Sequence, residues 1–224
     1  MVLDLAAADR ASGGEPPARA GAHDELGTPE VRPVVSPVTL PLPPGPAAVV
    51  RRFDARADRW FDRLRGNPLA DRVLYGASAL GDFSLLWHLL SLGRAVADPR
   101  SEREAMRAAA ALAVESVVVN VGVKSLFRRE RPAWVDDRPH DLRRPRSSSF
   151  PSGHATSGFL AASLLAAGRP RQRALWFGLA GVVATSRVHV RIHHASDVVG
   201  GALLGLSFGA LVRRRWPIQT KGRP

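Results

Sequence analysis

Apolar positions along the chain follow two patterns. Between Ala47 and Arg65, Val49, Val50, Phe53, Trp60, Phe61 and Leu64 recur at roughly helical spacing among Arg51, Arg52, Arg56, Arg59 and Arg63. This predicts an amphipathic basic helix over 47–66, of the kind that lies on an anionic membrane surface; the same spacing also suits a helix packed on a protein core. Five apolar stretches follow: Val73 to Gly93, Ala108 to Val123, Ala155 to Gly168, Ala174 to Thr185 and Val198 to Val212. Only the first reaches the roughly 18 to 20 residues that a bilayer span requires, and it carries Asp82 and His88. Singly, the other four also suit buried helices of a soluble all-α domain. They are rich in Ala, Gly and Ser, and Gly201, Gly205 and Gly209 recur every four residues, a flat face that lets helix backbones approach in lipid. Arg169, Arg171 and Arg173 separate the third stretch from the fourth, and Arg213 to Arg215 follow the fifth, flanks suited to lipid headgroups. The predicted fold is all-α, a polytopic membrane bundle of five to six transmembrane helices over 69–216, preceded by the amphipathic helix.

Composition changes this picture in three places. The 224 residues hold no cysteine, which excludes a disulfide scaffold, a thiolate metal site and a cysteine nucleophile. Residues 1–46 contain 9 of the 18 prolines and no aromatic residue, so they are expected to be a disordered tail, as is 217–224. Met1 to Arg10 lacks the basic start and unbroken apolar run of a signal peptide. The net charge is +12, with only Lys124 and Lys221 as lysines among 32 basic residues. Most of it sits in short arginine groups beside apolar stretches with few aromatics to stack bases, so nucleic acid is not an expected partner, whereas membrane lipid is.

Three polar clusters interrupt the apolar pattern. Lys124 and Arg131, seven apart, would stand two helical turns apart on one face and aim two cations at one anion, with Pro132 stopping the helix. A basic run beside a membrane helix also serves as plain headgroup contact. Glu115 and Asn120, one to two turns before Lys124, are placed either to face the same polar site or to fix helix packing. Pro151-Ser152-Gly153-His154 opens the third apolar stretch, where free backbone N–H groups, a hydroxyl and the helix dipole can cradle phosphate. Ser152 suits simple N-capping equally well. In the third cluster, His193 and Asp197 are four apart, so the carboxylate can hold one imidazole nitrogen protonated and leave the other free as nucleophile or base; Arg187 adds a third cation. His189 and His194 lack the acidic partners and spacing of a metal site, and neither metal nor cofactor is expected.

Taken together, Lys124-x6-Arg131-Pro132, Pro151-Ser152-Gly153-His154 and Ser186-Arg187-x5-His193-x3-Asp197 resemble, in identity, order and spacing, the three-part signature of the type 2 phosphatidic acid phosphatase family, whose fold is shared with vanadium haloperoxidases. The resemblance covers about Leu69 to Arg215. Ala195 departs from it, standing where many relatives carry a proline before the Ser-Asp pair. What the resemblance implies is a metal-independent lipid phosphatase: His193 as nucleophile forming a phosphohistidine, His154 as the acid and then base opposite it, and Asp197 orienting His193. Lys124, Arg131, Arg187, Ser152 and Gly153 would bind the phosphate oxygens. The implied substrates are phosphatidic acid, phosphatidylglycerol phosphate, a polyprenyl diphosphate or a polyprenyl-linked sugar phosphate, and the implied location is the outer face of a bacterial cytoplasmic membrane. A lipid phosphotransferase would use the same pocket. A vanadium-dependent haloperoxidase shares the residues but is a larger soluble protein.

Overall fold

The computed structural model describes residues 45–133, 139–140, 142, 145, 147–167 and 169–218. Most of the proline-rich N-terminal segment and the end of the C-terminal one therefore lie outside the described residues. The described chain from residue 45 on is helical, with α1 (Pro46–Asp62), α2 (Pro68–Leu80), α3 (Leu85–Ala97), α4 (Glu102–Val117), a π-helical stretch (Val118–Val123), the short α5 (Lys124–Leu126), α6 (Gly153–Leu165), α7 (Arg173–His189) and α8 (Ala195–Arg215).

The first apolar stretch is not one continuous helix but parts of two, α2 and α3, bent by 68°. Gly81 ends α2, and Phe83 and Ser84 take left-handed backbone angles (φ 53° and 58°), which non-glycine residues adopt only where neighbours hold them. The break turns Asp82 toward the start of α6. A side chain at Gly81 would run into the His154 ring, so the bend can pack there only with glycine.

The core is built around α6, which is buried over nearly its whole length; Ala155 to Gly158 and Leu160 to Leu165 are all buried. Trp87 of α3, Leu112 of α4, and Ala180 and Val183 of α7 close round Leu160 and Ala161. On the remaining side the Gly201, Gly205 and Gly209 stripe lets α8 lie directly on α6. A Cβ at Gly201 would come within 2.5 Å of the Ser152 carbonyl oxygen, and one at Gly205 would meet the Thr156 carbonyl. The four-residue glycine spacing thus does what it predicted, bringing two backbones close.

Two helical runs, Pro99–Leu126 and Ala195–Arg215, are long and apolar enough to cross a membrane, and a third if the bent α2–α3 pair counts as one span. The expected five to six would also need α6 and α7, which at 13 and 17 residues are shorter than a full crossing. Ahead of these runs lies α1, with Val49, Phe53 and Trp60 exposed and Phe61 buried.

Candidate active site

The three polar clusters meet at one end of the bundle, where α4–α5 and α7 finish and α6 and α8 begin. The π-helical stretch adds a residue to the turn before Lys124, a distortion that helices commonly carry at functional sites. Lys124 Nζ donates to Asn120 Oδ1 at 2.9 Å, and Asn120 Nδ2 donates to Ser116 Oγ at 3.2 Å. A Cβ built on Gly153 would lie 3.8 Å from Lys124 Nζ and 4.0 Å from Asn120 Oδ1, so the ammonium and amide stand beside the first turn of α6. Asn120 thus shares the site of Lys124; Glu115 is buried in α4, 2 % exposed.

Helix geometry does not place Arg131. The helical run ends at Leu126, Phe127 is extended, and Arg131 lies in irregular chain five residues beyond. The expectation that Lys124 and Arg131 share a helix face, with Pro132 as the stop, is therefore corrected. Backbone carbonyls hold Arg131 instead: Nε donates to Ser147 O (3.1 Å), Nη2 to Ser148 O (3.0 Å) and Nη1 to Ile192 O (3.0 Å). Nη1 also lies 3.2 Å from His193 Nε2. A guanidinium can only donate, so Nε2 presents its lone pair and the ring proton sits on Nδ1.

His193 Nδ1 is 3.7 Å from Asp197 Oδ2, close but beyond hydrogen-bond distance. The ring is 3 % exposed. Burial holds its pKa well below the ordinary imidazole value; Arg187 and Arg131 push the same way, and Asp197 opposes them. His193 is therefore neutral near pH 7, with its Nε2 lone pair available. The backbone N–H groups of Ile192 and His193 both donate to Arg187 O (3.1 and 3.0 Å), which ties this loop to the end of α7.

At the start of α6, Ser152 occupies the N-cap position, yet its hydroxyl makes no capping bond and has no partner among the described residues, although the residue is fully buried. Simple N-capping, one reading of this serine, is not what the side chain does. His154 Nε2 lies 2.9 Å from Ser78 O and 3.3 Å from Asp82 Oδ1. A carbonyl only accepts, so Nε2 carries a proton and Nδ1 is the atom left to exchange one. Arg187, also buried, donates to Ser78 Oγ, so a single serine of α2 touches both residues.

Sequence reasoning passed over the residues that fix Asp197. Its carboxylate accepts from Arg129 Nη1 (2.7 Å), Ser149 Oγ (2.6 Å) and the His194 backbone N–H (2.9 Å). Arg129 in turn reaches Asp54 of α1 (Nη2–Oδ2 2.6 Å). Ser78 and Ser149 carried no signal of their own in the sequence, whereas Asp82 stood out as a carboxylate inside an apolar stretch. Asp54 stood out too: with Asp58 and Asp62 it forms an acidic stripe at i, i+4, i+8 on an otherwise basic helix. His189 pairs with Asp71 (2.7 Å), and among the described residues no group of acidic and histidine side chains is placed to hold a metal.

Beside Arg131 and Ile192 opens a cleft of about 650 Å³, also lined by Lys124, Arg128 and Ser147 among others. Residues 104–221, carrying all three clusters, match the sequence profile of the PAP2 superfamily. The chain belongs to the PAP2 superfamily. Within it, the chain is 38 % identical over 140 residues to a decaprenylphosphoryl-5-phosphoribose phosphatase of Mycobacterium tuberculosis, covering 61 % of this chain and 75 % of that one. It is 39 % identical over 145 residues to the protein of the same name from Mycolicibacterium smegmatis, covering 62 % and 74 %. In fold, this PAP2 chain is similar to Aquifex aeolicus LpxE (TM-score 0.59, 26 % identity, 71 % of this chain and 94 % of that one). It is likewise similar to a transmembrane PAP2-type phosphatidylglycerolphosphate phosphatase of Bacillus subtilis (TM-score 0.58, 24 % identity, 78 % and 90 %). It is a phosphatase-family protein of the membrane type.

Proposed function

We propose that this protein removes the phosphate monoester from a polyprenyl-linked sugar phosphate at a membrane surface. The observation that carries the chemistry is the His193 Nε2 lone pair, 3.2 Å from the guanidinium of the cleft-lining Arg131, in a ring kept neutral by burial. The two mycobacterial relatives, phosphatases of decaprenylphosphoryl-5-phosphoribose by name, favour that substrate class over phosphatidic acid, phosphatidylglycerol phosphate or a polyprenyl diphosphate.

In the first step Nε2 attacks phosphorus, the bond from phosphorus to the sugar oxygen breaks, and His154 Nδ1 gives its proton to the departing alkoxide. In the second, His154 Nδ1 takes a proton from water, which attacks the phosphohistidine; the P–N bond breaks, phosphate leaves, and His193 regains its lone pair. Asp197 stabilises the positive charge that His193 gains on forming the phosphoramidate. Lys124, Arg131, Arg187, the Ser152 hydroxyl and the Gly153 N–H supply the fixed donors for the non-bridging oxygens. Such donors do the electrostatic work given to Mg²⁺ in many phosphoryl-transfer sites.

The lipid reading rests on the apolar helices beside this cleft and on α1. Its exposed Val49, Phe53 and Trp60 lie among Arg52, Arg56, Arg59 and Arg63, a face suited to an anionic lipid surface. We place the site on the outer face of a bacterial cytoplasmic membrane, where the polyprenyl chain stays in lipid and the sugar phosphate reaches His193.

The test is phosphate release by the detergent-solubilised full chain in excess EDTA. The panel is a polyprenyl-phosphoryl sugar phosphate, phosphatidic acid, phosphatidylglycerol phosphate, a polyprenyl diphosphate and an aryl phosphate, each beside the His193→Ala variant. Release that resists EDTA, needs His193 and is fastest on the sugar phosphate is expected. Inhibition by EDTA would overturn the metal-independent step, and a phosphorylated acceptor in place of free phosphate would identify a transferase.

A further inference from the structure

Asp54 lies outside the three clusters, on a helix that the family profile does not reach, yet it is one of the few buried carboxylates among the described residues, 8 % exposed. Its two oxygens are fully engaged. Oδ1 accepts from the Ser196 backbone N–H at 2.8 Å, and Oδ2 accepts from the Ser196 hydroxyl at 2.9 Å and from Arg129 Nη2 at 2.6 Å. Arg129 spans the gap: its other terminal nitrogen donates to Asp197 Oδ1 at 2.7 Å and to Ser196 Oγ at 2.8 Å. One guanidinium thus bridges two buried carboxylates, while Asp54 also grips the residue immediately before Asp197.

From this arrangement we propose that Asp54 and Arg129 are positioning residues for catalysis, making α1 part of the catalytic apparatus. Asp197 would otherwise be a carboxylate with two strong donors, Ser149 and the His194 N–H, free to swing toward the nearest cation. Arg129 fixes its second oxygen, and Asp54 keeps Arg129 from collapsing further onto Asp197 or turning to the cleft beside it. The result is a fixed negative charge 3.7 Å from His193 Nδ1, able to close to hydrogen-bond distance as the ring gains positive charge. Because α1 carries Asp54 on its buried side and Val49, Phe53 and Trp60 on its exposed side, the placement of the catalytic carboxylate depends on the helix that faces the lipid surface. The rest of the acidic stripe fastens the same helix: Asp58 and Asp62 bind Arg65 (2.7 and 2.5 Å), and Asp62 also binds Arg191 (2.6 Å).

The proposal rests on the His193 mechanism, so every variant is measured beside His193→Ala, on phosphatidic acid in detergent micelles and on an aryl phosphate, with thermal unfolding recorded for each. Asp54→Asn and Arg129→Gln should each lower kcat by about 10- to 100-fold with KM within about threefold, since they alter the charge beside the nucleophile and not the oxygen-binding cations. The double variant should fall no further than the worse single one, because the two residues act through each other. Arg129→Lys should recover part of the loss. Glu104→Gln, at the opposite end of the bundle, should keep kcat. Wild-type kcat in Asp54→Asn, multiplicative losses in the double variant, or an equal kcat loss in Glu104→Gln would each overturn the proposal. Should Asp54→Asn fail to fold, the comparison of Arg129→Gln with Arg129→Lys decides in the same way. Activity surviving in His193→Ala would instead sink the mechanism on which the proposal stands.

Discussion

The two ends of the bundle use arginine and lysine differently. At the end where α3 finishes and α4 begins, Glu104 takes Arg94 at 3.3 Å and Arg169 at 2.7 Å, so one carboxylate ties two cations together and offsets part of their charge. About 30 Å away along the same helical run, at roughly 1.5 Å per residue, Lys124 is held by an amide oxygen, and Arg131 by three backbone carbonyls. Neutral acceptors fix a cation's position without cancelling its charge. At the far end a carboxylate thus joins two arginines from different segments, with Arg107 and Arg213 held by the Trp216 and Ser163 carbonyls, whereas at the near end neither Lys124 nor Arg131 is paired with a carboxylate among the described residues. Asp197, the carboxylate that could have cancelled their charge, is occupied by Arg129 and Ser149.

The largest effect expected at the charged end is that of His193→Gln, which removes the Nε2 lone pair and should bring phosphate release to background. Next come Lys124→Ala and Arg131→Gln. Each deletes a cation held in place by neutral groups, and each should lower kcat/KM by about 10²- to 10³-fold, the range for losing one preorganised donor. Their unfolding temperatures should stay close to wild type, since no ion pair is broken. A variant of either that unfolds early but turns over normally when folded would show that these cations serve the fold instead.

A more direct attack on the contrast is Asn120→Asp, which puts a carboxylate where Lys124 now finds an amide. It should turn the near end into a copy of the far one. The pair formed at i, i+4 should leave unfolding unchanged or slightly improved. The inhibition constant for inorganic phosphate should rise about 10- to 50-fold, about 1.4 to 2.4 kcal/mol of lost attraction at about 1.4 kcal/mol per factor of ten. Unchanged phosphate affinity would mean that Lys124 does not face the anion. The mirror experiment is Glu104→Gln, which should cost about 1 to 3 kcal/mol of stability, as expected for a partly buried pair losing one partner. In detergent its turnover should stay within about threefold of wild type.

The sequence and the structure agree best where a rule of spacing acts locally. The glycine stripe of α8 rests on helix periodicity and packs as its spacing implies; the His193–Asp197 interval does not, since His193 precedes α8 and its Nδ1 stops 3.7 Å from the carboxylate. The helix predicted to run from Lys124 to Pro132 was misread because Arg131 is fixed by carbonyls of Ser147, Ser148 and Ile192, contacts across 16 to 61 residues that no local pattern encodes. The break at Gly81 to Ser84 was hidden by continuous hydropathy, and its cause, the His154 ring pressed against Gly81, is likewise remote in sequence. Asp54 shows the intermediate case. Its stripe was visible, but that it faced inward became legible only once Arg129 and Ser196 had been brought to it.

The smallest predicted effect is an absence, and it bears on why the near end keeps its charge. With burial and two guanidiniums acting against the proton and only Asp197 favouring it, the folded protein binds a proton on His193 less readily than the unfolded chain, whose imidazole titrates near about 6.5. The sign of the linkage follows. As pH falls below about 6.5 the unfolded state takes up a proton that the folded state refuses, so this residue's contribution to stability is full above that pH and is lost progressively below it. His193 itself stays neutral over the same interval. In ¹⁵N-histidine spectra, the resonances that vanish in His193→Gln should therefore not move between pH 7.5 and 5.5, while the unfolding temperature of His193→Gln should fall less steeply with acid than that of wild type. Arg131→Gln, by removing a cation 3.2 Å from Nε2, should shift the His193 titration upward. A wild-type midpoint near 6.5 would mean that water or an anion already shields the ring, and that the charge at this end is less exposed to a ligand than its neutral hydrogen-bond partners imply.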